Sequence, residues 1–238
     1  MRFKRGLIIL FVLFFAVCAY GILKGAVNIP ARELFLKENH AILNMRILRV
    51  LSAILVGSGL AVSGIVLQAI TRNPLAEPYL LGTSSGAGLA AVAAVIIGVS
   101  RIYIPLASFI GALGSVVIVY HIAKQRGRIS DKSLILAGVI VGIALSAVIV
   151  FLVSIFGNEA MHEMSWWLWG SLQVYDVKLV SIVTAIVITG IGAIYIFSQD
   201  LNAISLGEEE AIHLGIDARN IKKILIIITA LITAALTS

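Results

Sequence analysis

Three stretches of this sequence carry residue types that can do more than fill apolar space. NMRILRVL (residues 44–51) sets Arg46 and Arg49 one helical turn apart, a spacing that offers two cations to one acidic partner. TRNPLAEPYLLGTSSGAG (71–88) interrupts an apolar run with two prolines, four serine and threonine hydroxyls and three glycines. SLGEEEAIHLGID (205–217) gathers three carboxylates at the head of a short helical pattern. The glycine–hydroxyl segment resembles a phosphate loop superficially, but no Gly-Lys-Ser/Thr follows it and no strand pattern precedes it. Nucleotide binding is therefore not expected there. No catalytic residue and no metal site is assigned, and the single cysteine, Cys18, lies inside an apolar segment as a small filler.

The elements that must position these stretches are set by composition. The chain is 60% hydrophobic and 13% charged, with a mean hydropathy of +1.07. Soluble domains carry about 25% charged residues, so this is a membrane protein whose counting unit is the span of roughly 20 apolar residues. A net charge of +6 over 238 residues raises nucleic acid as a partner. The Lys and Arg are scattered between apolar runs and form no basic face, so membrane topology explains them and no nucleic acid is expected.

Apolar runs cover residues 6–23, 50–71, 79–99, 102–123, 134–156, 179–197 and 224–238. Six are long enough to span as helices and the last is short, because backbone groups in lipid must be satisfied within the segment. The first run, behind Arg2, Lys4 and Arg5, is long for a signal peptide and is read as a helix. With the N-terminus in the cytoplasm, the inner segments hold Arg2, Lys4, Arg5, Arg72, the cluster from Lys124 to Lys132, and Arg219, Lys222 and Lys223. That obeys the positive-inside bias, and it leaves Arg46 and Arg49 outside, against it. The other outer stretch, 157–178, holds all three tryptophans and reads as an interfacial anchor or short surface helix. No Asp, Glu, Lys or Arg lies mid-span, which argues against a proton-driven carrier.

Small residues recur as Ala53, Gly57, Ala61 and Gly64 in the second run and as Ser108, Gly111, Ala112, Gly114 and Ser115 in the fourth, each expected to allow close helix packing. Pro74 and Pro78 exclude a continuous helix through residues 72–78. The interruption with Ser84 and Ser85 behind it is either a pathway-lining segment or a packing turn. Ser205 and Glu208 fit a capping box, and Gly215 a C-terminal cap, predicting a cytoplasmic helix over 207–214. Ala211, Ile212 and Leu214 could dock while Glu208, Glu209 and Glu210 meet a basic partner. A solvated connector helix is the alternative.

Together and in this order, RILRVLSAILVGSGLAVSGIVLQAITRNPLAEPYLLGTSSGAG, SLILAGVIVGIALSA, WWLWGSL and LGEEEAIHLGID resemble FecCD-type permeases. These are membrane subunits of ATP-binding-cassette importers for iron–siderophore complexes, haem and vitamin B12. The resemblance runs from about Arg46 to the last residue. It implies an all-α polytopic membrane protein in which about seven of an expected ten helices are present, a single permease domain over 1–238 with an ATPase-coupling loop at about 198–223. Implied partners are a second copy of the permease, a cytoplasmic ATPase dimer that carries ATP and Mg, an extracytoplasmic substrate-binding protein and the lipid bilayer. This chain itself would bind no cofactor.

Carried over residue by residue, Arg46 and Arg49 match arginines that dock the binding protein, with Leu48 where the family has proline. Asn73, Pro74 and Leu75 match the cytoplasmic gate, with Ser84 and Ser85 beside it, and Ser130 to Ser133 fall near a second gate region. Gly207, Glu208, Glu209, Ala211, Leu214 and Gly215 match the ATPase-coupling helix. The family continues beyond this point with a glycine-rich segment and three more helices, so the chain is expected to be C-terminally truncated. The function implied is inward transport of an iron–siderophore across the bacterial inner membrane by alternating access, without catalysis by this polypeptide. Vitamin B12 or haem is the alternative cargo, and an ion-coupled secondary transporter the alternative class.

Overall fold

The computed structural model describes residues 2–125, 128–156, 169–172 and 176–238. It is dominated by helices: α1 (Arg2–Leu23), α2 (Ala31–Leu34), α3 (His40–Thr71), α4 (Thr83–Ile96), α5 (Ile104–Ala123), α6 (Asp131–Phe156), α7 (Val177–Ile196), α8 (Ser198–Leu206), α9 (Glu208–His213) and α10 (Ala218–Thr237). A two-residue antiparallel ladder, Lys124–Gln125 against Arg128–Ile129, joins α5 to α6. Most of the tryptophan-rich stretch, 157–168 and 173–175, lies outside the described residues.

Among the described residues six helices are long and apolar enough to cross a membrane, but their membership differs from the expectation. The run 79–99 yields only the 14-residue α4, because Pro78 opens a 3-10 turn and Gly82, at φ +73°, turns the chain before the helix can start. Gly98, at φ +76°, ends it. The last run, expected to be short, qualifies: Asp217 caps α10 by accepting from the Asn220 N–H at 3.2 Å, so the helix starts at Ala218, six residues before the apolar run. Polar residues near a helix start extend it where a hydropathy count stops.

The chain divides into two compact units, residues 1–55 with 172–181, and residues 56–171 with 182–238. In the first, α1 leaves its apolar side chains exposed along its length, as a helix surrounded by lipid would. Leu34, fully buried, anchors the segment that leads into α3.

In the second unit α4 is central and packs against α5, α6 and α10. The α4–α5 contact is backbone on backbone: a Cβ added at Gly86 would lie 2.5 Å from the Gly111 carbonyl oxygen, and one at Gly111 would collide with Ala90. Ala87, Ala112 and Ala234 then form a small-residue core where α4, α5 and α10 meet, and Val92 and Ile149 seal α4 against α6. The small-residue reading of α5 thus describes a real seam at Gly111, Ala112 and Ser115, while Gly114 faces open space. On α3 the expectation is corrected. Ala53, Gly57 and Ala61 are exposed, and the packed face carries Ser52, Gly59, Ser63, Val66, Leu67 and Ile70, with Gly59 admitting Ile232, Leu236 and Val187. Two small-residue faces exist on this helix, and only the tertiary partner selects between them.

Gly111→Val should lower the stability of the detergent-solubilised protein by about 1–3 kcal/mol through overpacking, whereas Gly114→Val should change it by less than about 1 kcal/mol. Reversible unfolding in dodecyl sulfate would measure both.

Candidate functional site

Arg46 and Arg49 have different surroundings. Arg46 is only 7% exposed, and its guanidinium donates to three carbonyl oxygens: Ile22 at 3.1 Å, Leu23 at 2.9 Å and Val27 at 2.7 Å. Ile22 and Leu23 end α1, where carbonyls lack intrahelical donors and the helix dipole favours a cation. Gly25 makes room, since a Cβ there would sit 2.9 Å from the Arg46 Nε. Arg46 is therefore occupied as a cap on α1. Arg49, one turn on, is exposed. The fixed fork of the guanidinium explains the division, because only a residue placed over the end of α1 can reach three acceptors at once.

The interruption after α3 builds its own hydrogen bonds. Arg72 adopts a left-handed φ of +47°, and Asn73 N–H donates back to the Gln68 carbonyl at 3.2 Å, closing the helix end. The Asn73 side-chain oxygen accepts from Leu75 N–H at 2.9 Å, an Asx turn around Pro74, and the Gln68 amide donates to the carbonyls of Pro74 and Ala76, each at 3.2 Å. These bonds hold Leu75 out at the tip, 84% exposed. Beyond the turn, the Gly82 carbonyl accepts from Ser85 Oγ at 3.1 Å and from Ser115 Oγ at 2.8 Å, while Ser84 is exposed. Asn73, Pro74 and Leu75 form one rigid turn, and Ser84 and Ser85 belong to the first turn of α4. At the start of α6, Ser130 caps the helix: its Oγ accepts from Ser133 N–H at 3.1 Å and lies 2.7 Å from Ser133 Oγ.

The acidic stretch folds as a helical corner. Gly207 stands at the N-cap of α9 without a side-chain cap bond, and Ser205 belongs to α8, where its Oγ donates to the Asn202 carbonyl at 2.7 Å. The expected Ser205–Glu208 capping box is thus not formed. The carboxylate of Glu210 instead folds back over Gly207, where a Cβ would collide with it. The C-terminal cap is as expected: Gly215, at φ +79°, donates to Ile212 at 2.9 Å and Ile216 to Ala211 at 3.0 Å, the paired bonds of a Schellman motif. Ala211 is fully buried against Ala203, Ile204 and Ala218, so it anchors the helix from inside and is not a surface contact. Ile212 and Leu214 are 61% and 68% exposed, and Glu209 is exposed as well. A cavity of about 830 Å³ opens beside it, lined among others by Arg72, Lys124, Ser130, Arg219 and Lys223.

These features belong to a chain with a set of membrane-length helices, and comparison with known proteins decides its family. The model of the FecCD transport family matches residues 8–238. The chain belongs to the FecCD transport family. A cobalamin import system permease, BtuC, of Halobacterium salinarum is 37% identical over 195 residues, covering 82% of this chain and 53% of that protein. The vitamin B12 import system permease BtuC of Yersinia pestis is 33% identical over 239 residues, covering 97% of this chain and 69% of its own length. The chain thus spans about half of the first relative and about two thirds of the second. A solved metal-chelate type ABC transporter in an inward-facing conformation superposes with a TM-score of 0.83 at 26% identity, covering 98% of this chain and 74% of that one. The all-α, polytopic permease architecture is therefore that of this family member.

Arg46→Met should destabilise the detergent-solubilised protein by about 1–3 kcal/mol, the range for a lost charge-assisted hydrogen-bond set, while Arg49→Met should fall within about 0.5 kcal/mol of the parent. The difference between the two unfolding midpoints checks the cap.

Proposed function

We propose that this chain forms part of the membrane-spanning subunit of an ATP-binding-cassette importer that carries a metal chelate inward, in the first instance an iron–siderophore. The observation that carries this reading is the capped corner of α8, α9 and α10. It presents Ile212 and Leu214 outward on a buried alanine base, as a docking element for a cytoplasmic ATPase requires. ATP and Mg would be bound and used on that separate subunit, and this polypeptide catalyses nothing itself. A second copy of the permease completes the pathway, with the N-terminus in the cytoplasm of a bacterial inner membrane. The turn of Asn73, Pro74 and Leu75 acts as the cytoplasmic gate: its internal hydrogen bonds make it move as a body when the coupling corner is displaced.

Binding-protein docking on the outer side rests on Arg49, the exposed member of the pair, with Arg46 holding the end of α1 on which that surface is built. Cobalamin is the second reading of the cargo, favoured by the names of the relatives, and it is itself a metal chelate.

The complete permease, reconstituted with its ATPase and binding protein in proteoliposomes, should accumulate an iron(III)–hydroxamate chelate only when ATP is supplied. Uptake driven by a Na⁺ or proton gradient without ATP overturns the importer assignment, and uptake of cyanocobalamin in preference to the iron chelate selects the second cargo. In the same preparation, Arg49→Glu should weaken binding-protein docking by about tenfold at low salt and less at high salt, because an exposed charge pair is screened beyond about 10 Å at 0.1 M salt. Unchanged affinity at low salt removes Arg49 from the interface.

A further inference from the structure

The sequence scatters its lysines and arginines between apolar runs, and the fold gathers some of them around one cavity. Arg72 follows the end of α3, Lys124 follows the end of α5, and Arg219, Lys222 and Lys223 lie in the first two turns of α10, all lining the space of about 830 Å³. These three helices are long and apolar enough to cross a membrane, so the cations stand where such helices leave the hydrocarbon and meet headgroups. Arg72 and Lys222 have partners of their own, Glu208 being one of those of Lys222. Lys124, Arg219 and Lys223 are exposed, and among the described residues no carboxylate lies within ion-pair distance of them. Glu208, Glu209 and Glu210 line the same space, but Glu208 is 3.4 Å from Lys222 and Glu210 folds back over Gly207. Positive charge is left in excess there.

Arg219 and Lys223 stand four residues apart on α10 and share a face, a like-charge pair that costs stability unless an anion sits beside it. They also lie at the N-terminal end of that helix, whose dipole adds to the positive charge. The carboxylate nearest to them in the chain, Asp217, is engaged by the main-chain and side-chain nitrogens of Asn220 at 3.2 and 2.6 Å. The walls of the cavity differ from its cations: Ile70, Leu134 and Ile226 line the same space and offer only methyl and methylene groups. Tyr120 and Ser130 add hydroxyls near the end of α5 and the start of α6. Cations and hydroxyls beside an apolar wall suit a phosphodiester that carries a hydrocarbon tail, because the charges meet the phosphate and the wall meets methylenes. The volume falls within the range of about 300–1,000 Å³ of small-ligand sites, more than a bare phosphate fills. We propose that this cavity binds the headgroup of an anionic phospholipid, with Lys124, Arg219 and Lys223 on the phosphate. An acidic segment of a partner protein would use the cations and leave the apolar wall without a role, so lipid is the better match.

The complete permease, purified in dodecyl maltoside, is titrated with dioleoylphosphatidylglycerol or dioleoylphosphatidylcholine, and bound lipid is counted by native mass spectrometry. Phosphatidylglycerol should bind at least about tenfold more tightly than phosphatidylcholine, since each Lys or Arg beside an anionic lipid contributes about fivefold. Lys124→Gln with Arg219→Gln and Lys223→Gln should abolish that preference, and Lys124→Gln alone should lower it about fivefold, with phosphatidylcholine binding retained. The charge-preserving set, Lys124→Arg with Arg219→Lys and Lys223→Arg, should keep it, which separates charge from folding. Lys4→Gln with Arg5→Gln, at the head of α1, should leave it unchanged. No preference for phosphatidylglycerol, or an equal loss from the α1 pair, overturns the site. Displacement of phosphatidylglycerol by millimolar inorganic phosphate reassigns the cavity to a free anion, and release of the lipid when the ATPase is added reassigns it to that partner. Either result overturns the lipid assignment.

Discussion

The interruption between α3 and α4 must satisfy its own backbone, and the arrangement of the second unit follows from how it does so. Where this stretch is buried, at Ala76 and from Leu81 to Thr83, the carbonyls and N–H groups released by the break need partners from the protein. Gln68, Asn73 and Ser115 supply donors and acceptors to this segment, which ties the end of α3 and the middle of α5 to the start of α4. Gly138 of α6 lets the Leu80 carbonyl approach so closely that any Cβ at that position would collide with it. Four helices are thus set in place by one irregular stretch, and the backbone contact of Gly86 with Gly111 is the apolar counterpart of the same close approach.

The consequence for function is a rigid inner frame with two projecting pieces. Leu75 projects from a turn whose hydrogen bonds are internal, and Ile212 and Leu214 project from a helix whose base is buried alanine. Each piece carries its own polar contacts, the Asx turn at Asn73 and the Schellman cap at Gly215.

Arg46 shows how little helical spacing reveals of a residue's surroundings. Two arginines at helical spacing present the same sequence pattern whether they face solvent, a partner or a helix end. The end of α1 lies 23 residues back in the chain, with Gly25 just beyond it, and nothing local to NMRILRVL reveals that its open carbonyls come within reach of Arg46. The glycine at 25 was the available signal. It becomes meaningful only once the two segments are side by side.

Hydropathy and punctuation by themselves determined that the chain is a polytopic helical membrane protein, that the helix breaks between Thr71 and Thr83, and that a short acidic helix ends at Gly215. Each depends on a local cause: lipid favours apolar runs, proline removes a donor, and glycine accepts positive φ. Four motifs in order were enough to bring the family into view. Only the tertiary structure decided which small-residue face of α3 is buried, that Ala211 points inward, that Glu208 is held by Lys222 while Glu209 stays exposed, and that Arg46 is a helix cap. Those outcomes depend on which surfaces meet across long sequence separations, and helical spacing offers several equivalent faces until a neighbouring helix occupies one of them.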